Sequence, residues 1–415
     1  MTRQFTIAVS SNKGGIGKST ISVNLATLLA KELNKTKEVP SVLVEEYTTD
    51  EKIPNYMKGH RLVEENWTRD YENKDSEVVI LPTTSQSYSI LLSDENFVNP
   101  NIPRRADLDL GIHAPSGNGI REEQDLFEAY SEQDNVSRMG SSKISEMFPF
   151  ENFIIPSKHF NRLYYSLNNK VPISGTDYYS TNSREKFHRF KDKWLTNQDI
   201  DIVVRDLSSG THNLVYEVWT NADVPILVSS LDFAAMQDAY DFYSEAVKRN
   251  KEVELNKLTS EVKHLVNGQT LDFLTEAANS DSLDTVLNSV GGDFAKNLNV
   301  EVYNKIKNVL KPKYSSVLIL NKVRKTFFTS DEDYALDLIS DFKKQIKSEF
   351  GNNHSIHAII IPEKREIRKS SDTGVPYALI NDSSSGIGSL SASLSKNPFQ
   401  KIADYTISKL GERNE

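Results

Sequence analysis

Ser10-Ser11-Asn12-Lys13-Gly14-Gly15-Ile16-Gly17-Lys18-Ser19-Thr20 is the stretch whose reading decides the fold. Before it runs Phe5-Thr6-Ile7-Ala8-Val9, which reads as a buried strand. After it, Ile21-Ser22-Val23-Asn24-Leu25-Ala26-Thr27-Leu28-Leu29-Ala30 is apolar at helical spacing. A glycine-rich loop between a strand and a helix is the context a phosphate loop requires. Gly14, Gly15 and Gly17 let the backbone turn and bring successive N–H groups close to phosphate oxygens, with no Cβ in the way. The helix that opens near Lys18 adds the positive end of its dipole. Lys18 is placed to reach the β- and γ-phosphates, and the Ser19 hydroxyl to ligate Mg²⁺. ATP with Mg²⁺ is the cofactor this arrangement implies.

The loop carries two lysines where an ordinary phosphate loop carries one. Lys13-Gly14-Gly15-Ile16-Gly17-Lys18-Ser19-Thr20 resembles the deviant Walker A box of the ParA/MinD superfamily of ATPases. The resemblance implies that Lys18 serves its own nucleotide, while Lys13 reaches the partner's phosphates in a nucleotide-sandwich homodimer. The chemistry is coherent. A second cation beside the loop either crowds Lys18 or finds an anion elsewhere, and a partner's triphosphate is such an anion.

The resemblance extends along the chain. Ser41-Val42-Leu43-Val44-Glu45-Glu46-Tyr47-Thr48 reads as the second buried strand, and it implies that Glu45 is the first carboxylate of the first switch. The second carboxylate position falls on Tyr47, which cannot orient a water as an ionised acid does. Hydrolysis is therefore expected to be slow or dependent on a partner. Glu151-Asn152-Phe153-Ile154-Ile155-Pro156-Ser157 looks like the third strand. The run Ile200 to Gly210 is an apolar strand ending in Asp-x-x-x-Gly, resembling the Walker B element and second switch. By that resemblance Asp206 holds a Mg²⁺-bound water and the Gly210 N–H senses the γ-phosphate, with Ser19 completing the metal site. Arg205 is unusual in a buried strand and is expected to pair with a neighbouring acid. Asp223 to Ser230 is the next strand, and the helix from Asp232 is the one the family turns toward its dimer partner. Ser315 to Val323 is a strand whose Asn321 would read the adenine edge, and Ile356 to Pro362 is the last core strand. Pro362 closes the nucleotide pocket by the same resemblance. Lys364, Arg365, Arg368 and Lys369 follow it, four basic side chains against two acidic ones between 363 and 369. In partition ATPases such residues contact DNA phosphates without reading sequence.

Composition narrows the class. There are no cysteines, which removes disulfides, Cys-ligated zinc and iron–sulfur chemistry. No apolar run approaches the roughly 20 residues needed to cross a bilayer, and no signal peptide is visible. A cytoplasmic protein without integral membrane contact is expected, and the resemblance to partition ATPases implies association with the nucleoid. Net charge is −9, yet residues 51–140 hold 17 acidic against 9 basic side chains. That segment thus carries −8, and the near-neutral remainder is free to present a basic face. The expected architecture is α/β, a doubly wound, mostly parallel sheet with helices on both faces. It forms one P-loop ATPase domain over 1–415, with an acidic insertion at 51–148 and a helical insertion at 250–312. His354 and His357, at i and i+3 in a strand, fall on opposite faces and are not expected to form a metal pair.

The reading that follows is a ParA-like ATPase. It would dimerise on ATP, bind DNA non-specifically, and position a plasmid, chromosome or other cargo with a ParB-like adaptor. A MinD-like membrane-positioning ATPase is the alternative, although Ile402 to Leu410 has a thin apolar face and few cations. Tyr47 suggests a further one, a weakly hydrolysing nucleotide-dependent scaffold.

Overall fold

A computed structural model describes residues 4–34, 43–45, 61–63, 88–95, 141–157, 162–167, 181–196, 198–210, 213–262, 314–323, 331–364, 376–379 and 397–414, with single positions at 102, 126, 130, 160, 367, 368 and 370. The strands are β1 (Phe5–Ser10), β2 (Leu43–Glu45), β3 (Arg61–Val63), β4 (Ile90–Glu95), β5 (Ile155–Pro156), β6 (Leu163–Ser166), β7 (Ile202–Leu207), β8 (Val224–Ser230), β9 (Tyr314–Val323) and β10 (His354–Pro362). The helices are α1 (Lys18–Asn34), α2 (Ser141–Met147), α3 (Thr181–Thr196), α4 (Asn213–Thr220), α5 (Phe233–Val262), α6 (Asp331–Phe350) and α7 (Gln400–Asn414).

Eight strands form one sheet in the order β10-β9-β8-β1-β7-β4-β6-β5. All neighbours are parallel except the edge pair β5–β6. Because successive side chains of a strand point to opposite faces, the buried strands need apolar residues on both. Ile7 and Val9 face α1 and α7, while Ala8 between them faces the α4–α5–α6 side. Val203 and Leu91 look the same way as Ala8 but pack on α2 and α3, where Phe187, Phe190 and Trp194 close a third apolar cluster. The molecule is therefore three layers, with helices on both faces of a doubly wound sheet.

Helix α1 is buried almost all round, with Ile21, Leu25, Ala26, Leu28 and Leu29 at 2% exposure or less. Each such leucine or isoleucine contributes about 1.5–3 kcal/mol by leaving water. Helix α7 lies against the same cluster through Ile402, Ala403 and Leu410, so its thin apolar stripe is covered by the protein itself. Among the described residues no helix is long and apolar enough to cross a membrane.

Three expectations are corrected. The strand 43–45 does not join the main sheet; it pairs antiparallel with β3 in a separate two-stranded sheet. The place beside β7 is taken by β4, residues 90–95, inside the stretch 51–148 that the sequence set apart as an insertion. The run 151–157 supplies only the two-residue antiparallel edge strand β5. The cause is visible in β4 itself. Its apolar run is three residues long and ends in Ser93, Asp94 and Glu95, all buried: Ser93 donates to Glu95, Asp94 accepts from the Ile102 N–H, and Glu95 is held by the distant Arg205. Helix α5 continues unbroken to Val262, past the expected boundary at 250; residues 263–312, like the expected strand at 77–82, lie outside the described residues.

Candidate nucleotide-binding site

The loop between β1 and α1 sits at the carboxyl ends of the central strands, where a doubly wound sheet opens its crevice. Gly15 and Gly17 have φ of 79° and 99°, a left-handed region that side chains rarely enter. At Gly17 a Cβ would also overlap the Asn321 amide nitrogen. Both positions therefore require glycine, which leaves loop N–H groups bare for an anion.

The two lysines are separated by their surroundings. Lys18 is buried, and its ammonium donates to the Ser11 hydroxyl at 3.0 Å, which in turn donates to the Lys13 carbonyl at 2.8 Å. Burial lowers the Lys18 pKa, and the neighbouring Asp206 carboxylate opposes that shift. Lys13 is exposed on the rim of the loop. Across from it Asp232 caps α5, accepting from the Ala235 N–H at 2.7 Å and from the Ser230 hydroxyl at 2.7 Å. Those two hydrogen bonds, aided by the charge of Lys13, hold the Asp232 carboxyl below its usual range. The same helix approaches the loop through Asn12, whose side-chain amide donates to the Asp238 carbonyl at 3.3 Å.

Asp206 ends β7 beside the loop and is 1% exposed. It accepts hydrogen bonds from the hydroxyls of Ser19 and, at 3.0 Å, Ser22. Burial pushes its pKa up to about 6, with Ser19, Lys18 and Ser22 pulling the other way and Glu95 adding to the rise. Ser19 and Asp206, paired in the sequence reading as metal residues, are thus in contact. Among the described residues there is no cluster of three or more His, Asp or Glu that would cage a metal. One hydroxyl and one carboxylate fit Mg²⁺ nonetheless, since that ion keeps most of its water and shares the rest with substrate phosphates. Gly210, with φ of 126°, donates its N–H to the Ser11 carbonyl at 3.3 Å, which docks the second switch on the loop.

Other expected residues fall differently. Asn321 is buried, and its amide donates to the Ile16 carbonyl at 2.7 Å. Pro362 ends β10 next to it, paired with Val323. Lys364 is turned onto Tyr377, 3.4 Å from the hydroxyl and 5.9 Å from the ring centre. Arg368 is exposed on a short helical turn, whereas Arg365 and Lys369 lie outside the described residues. Thr20 is buried in the first turn of α1, and Ile16 anchors the loop in the core. Glu45 ends β2, outside the main sheet, so its sheet-end argument no longer applies.

The sequence reading missed two acids. Asp94 lies in register with Asp206 on the adjacent strand, hence on the same face of the sheet, and is fully buried. Its carboxylate accepts from the Ile102 N–H at 3.3 Å. Glu95, pointing to the opposite face, takes both arms of Arg205, with Nη2 to Oε2 at 3.0 Å, and Asp192 of α3 meets Arg205 Nη1 at 2.8 Å. The expected partner of Arg205 is therefore this pair of carboxylates.

Loop, sheet order and strand-end carboxylate define a doubly wound α/β protein with a phosphate-loop type of turn between β1 and α1. The chain is similar to solved members of the ParA/MinD superfamily of ATPases. These include the MinC:MinD cell division complex of Aquifex aeolicus (14% identity over 98% of this chain and 96% of that one, TM-score 0.43). A Cyanothece McdA variant in complex with ATP is 11% identical over 99% and 98% of the two chains, with a TM-score of 0.45. A ParA family ATPase from Chlorobium tepidum is 12% identical over 97% and 99%, with a TM-score of 0.39. No family profile matches the chain, and no curated protein sequence does.

Proposed function

We propose that this protein is a ParA/MinD-type ATPase of the partition branch, which pairs with a second copy when both hold Mg²⁺-ATP. The observation that carries the reading is the unequal state of the two loop lysines. Lys18 is buried and committed to its own loop, while Lys13 stands exposed on the rim beside α5. An exposed ring at the start of α5, Phe233 at 70% exposure, belongs to the helix whose cap Lys13 faces and gives the same rim an apolar element for a partner.

Within each copy the loop N–H groups and Lys18 would hold the β- and γ-phosphates, and Ser19 with Asp206 would hold the Mg²⁺ shell. The ion supplies charge neutralisation on the β- and γ-oxygens when bound. Asp94, on the same face as Asp206, would serve as the first-switch carboxylate that the resemblance assigned to Glu45. Non-specific DNA binding by the dimer, an adaptor that stimulates hydrolysis, and a nucleoid-associated place in the cytoplasm complete the proposal. Arg368, exposed on the helical turn that follows β10, is a basic residue available for that DNA contact. A single domain over 1–415 is part of the proposal.

The test is sedimentation of the full chain with ADP, with ATP and with a non-hydrolysable analogue, followed by retardation of random-sequence DNA. Pairing only with triphosphate, together with salt-sensitive DNA binding of the paired form alone, is the expected result. Binding to DNA regardless of nucleotide would count against the partition branch.

A further inference from the structure

Near the end of strand β9, just before Val323, stand Asn321 and Lys322, and both side chains reach the phosphate loop. The Asn321 amide donates to the Ile16 carbonyl at 2.7 Å, and the Lys322 ammonium donates to the Gly15 carbonyl at 3.0 Å. Consecutive residues of a regular strand point to opposite faces, so this convergence needs a break in the strand. Two observations show it. Lys322 has φ of 63°, a left-handed conformation fixed by its own N–H on Asn321 Oδ1 at 2.9 Å. The ladder with β10 also slips there, since Ile361 pairs with Asn321 and Pro362 with Val323, leaving Lys322 as the extra residue of a bulge.

The two carbonyls belong to adjacent peptide groups, flanked by Gly15 (φ 79°) and Gly17 (φ 99°). Glycines on both sides let such peptides rotate readily. A trans peptide is planar, with its N–H opposed to its C=O. Fixing the carbonyls of Gly15 and Ile16 toward β9 therefore fixes the N–H groups of Ile16 and Gly17 away from it, toward the anion site.

We propose that Asn321 and Lys322 form a two-point strap that sets the peptide orientation of the phosphate loop, with Lys322 a positioning residue for nucleotide phosphates. The proposal rests on the nucleotide-binding reading above. Because the strap acts on phosphate donors, ADP and ATP suffer alike when it is cut, and base preference does not change with Lys322.

The experiment compares the full-length wild type with Lys322→Met, which keeps the stem and drops the charge, and with Lys322→Arg. Calorimetric titration with Mg²⁺-ATP, Mg²⁺-ADP and Mg²⁺-GTP is paired with melting of the free protein and amide exchange over residues 14–20. Lys322→Met is expected to weaken ATP and ADP equally, by about 3–10-fold, the range for one ordinary net hydrogen bond, since water screens the exposed ammonium. Its ATP-to-GTP ratio and free melting point should match the wild type, exchange over the loop should rise, and Lys322→Arg should restore affinity. Unchanged affinity and exchange in Lys322→Met would overturn the strap, as would a melting point that falls in step with affinity. A wild type that binds none of the nucleotides would instead defeat the nucleotide-binding reading, and the strap with it.

Discussion

Replacing Arg205 with methionine isolates the most heavily buried ionic contact in the described molecule's switch region. The guanidinium lies in β7 with 9% of its side chain exposed, and it grips both oxygens of Glu95, whose side chain is fully buried. Arg205→Met leaves an acid under the sheet without that guanidinium, and breaking a buried pair in this way costs about 3–5 kcal/mol. Asp192, the other partner, is 44% exposed, so water screens it and it adds little. Urea unfolding is the suitable assay, read by fluorescence of the buried Trp194 and Trp219. With a slope of about 3 kcal/mol per molar, the midpoint should fall by about 1–1.7 M. Joining Arg205→Met to Glu95→Leu removes both charges and should recover most of the loss. If the single variant unfolds within 0.3 M of the wild type, or the double variant is no better than the single, the assignment of this pair as a buried charge couple is wrong.

Four further outcomes are expected. The Asp206 carboxyl, raised to about 6 chiefly by burial, must be ionised to serve Mg²⁺, so magnesium-dependent ATP affinity should rise between about pH 5 and 7, and Asp206→Asn should flatten that profile. The same rise above the unfolded carboxylate value means that ionising Asp206 opposes folding as pH climbs from about 4 to 6; Asp206→Asn should therefore gain stability relative to wild type over that interval, read by melting across pH. Gly17→Ala meets both a forbidden φ and the Asn321 amide, so nucleotide binding should be lost in calorimetry along with about 1–3 kcal/mol of stability. Asp94→Asn should slow phosphate release by at least about tenfold, whereas Glu45→Ala should leave it within about twofold, measured side by side with ATP.

The sequence made the loop and strands β7 to β10 legible for a physical reason. Each of those strands holds an apolar run of at least three residues, and the glycines at 15 and 17 stand where the backbone demands them. Asp206 and Ser19 were readable from their spacing, and they meet in space. Strand β4 was hidden because its second half is polar, and the buried Glu95 is matched by Arg205, a partner 110 residues along the chain that no local window contains. The run that holds Glu45 reads as a core strand by its apolar residues, yet among the described residues it pairs with 61–63 in a separate sheet. Asn321 was recognised as a strand-end amide, yet its grip on the loop depends on a bulge that sequence does not announce.

The sheet's central strand, β1, is bonded on one side to residues 202–206 and on the other to residues 224–227. Almost two hundred residues must therefore leave the ribosome before the first strand acquires either neighbour. At 5–20 residues per second that interval is on the order of 10–40 s. Throughout it, β1 and the apolar α1 are nascent chain with no sheet to cover them, a prime target for holdase chaperones and a cause of slow maturation.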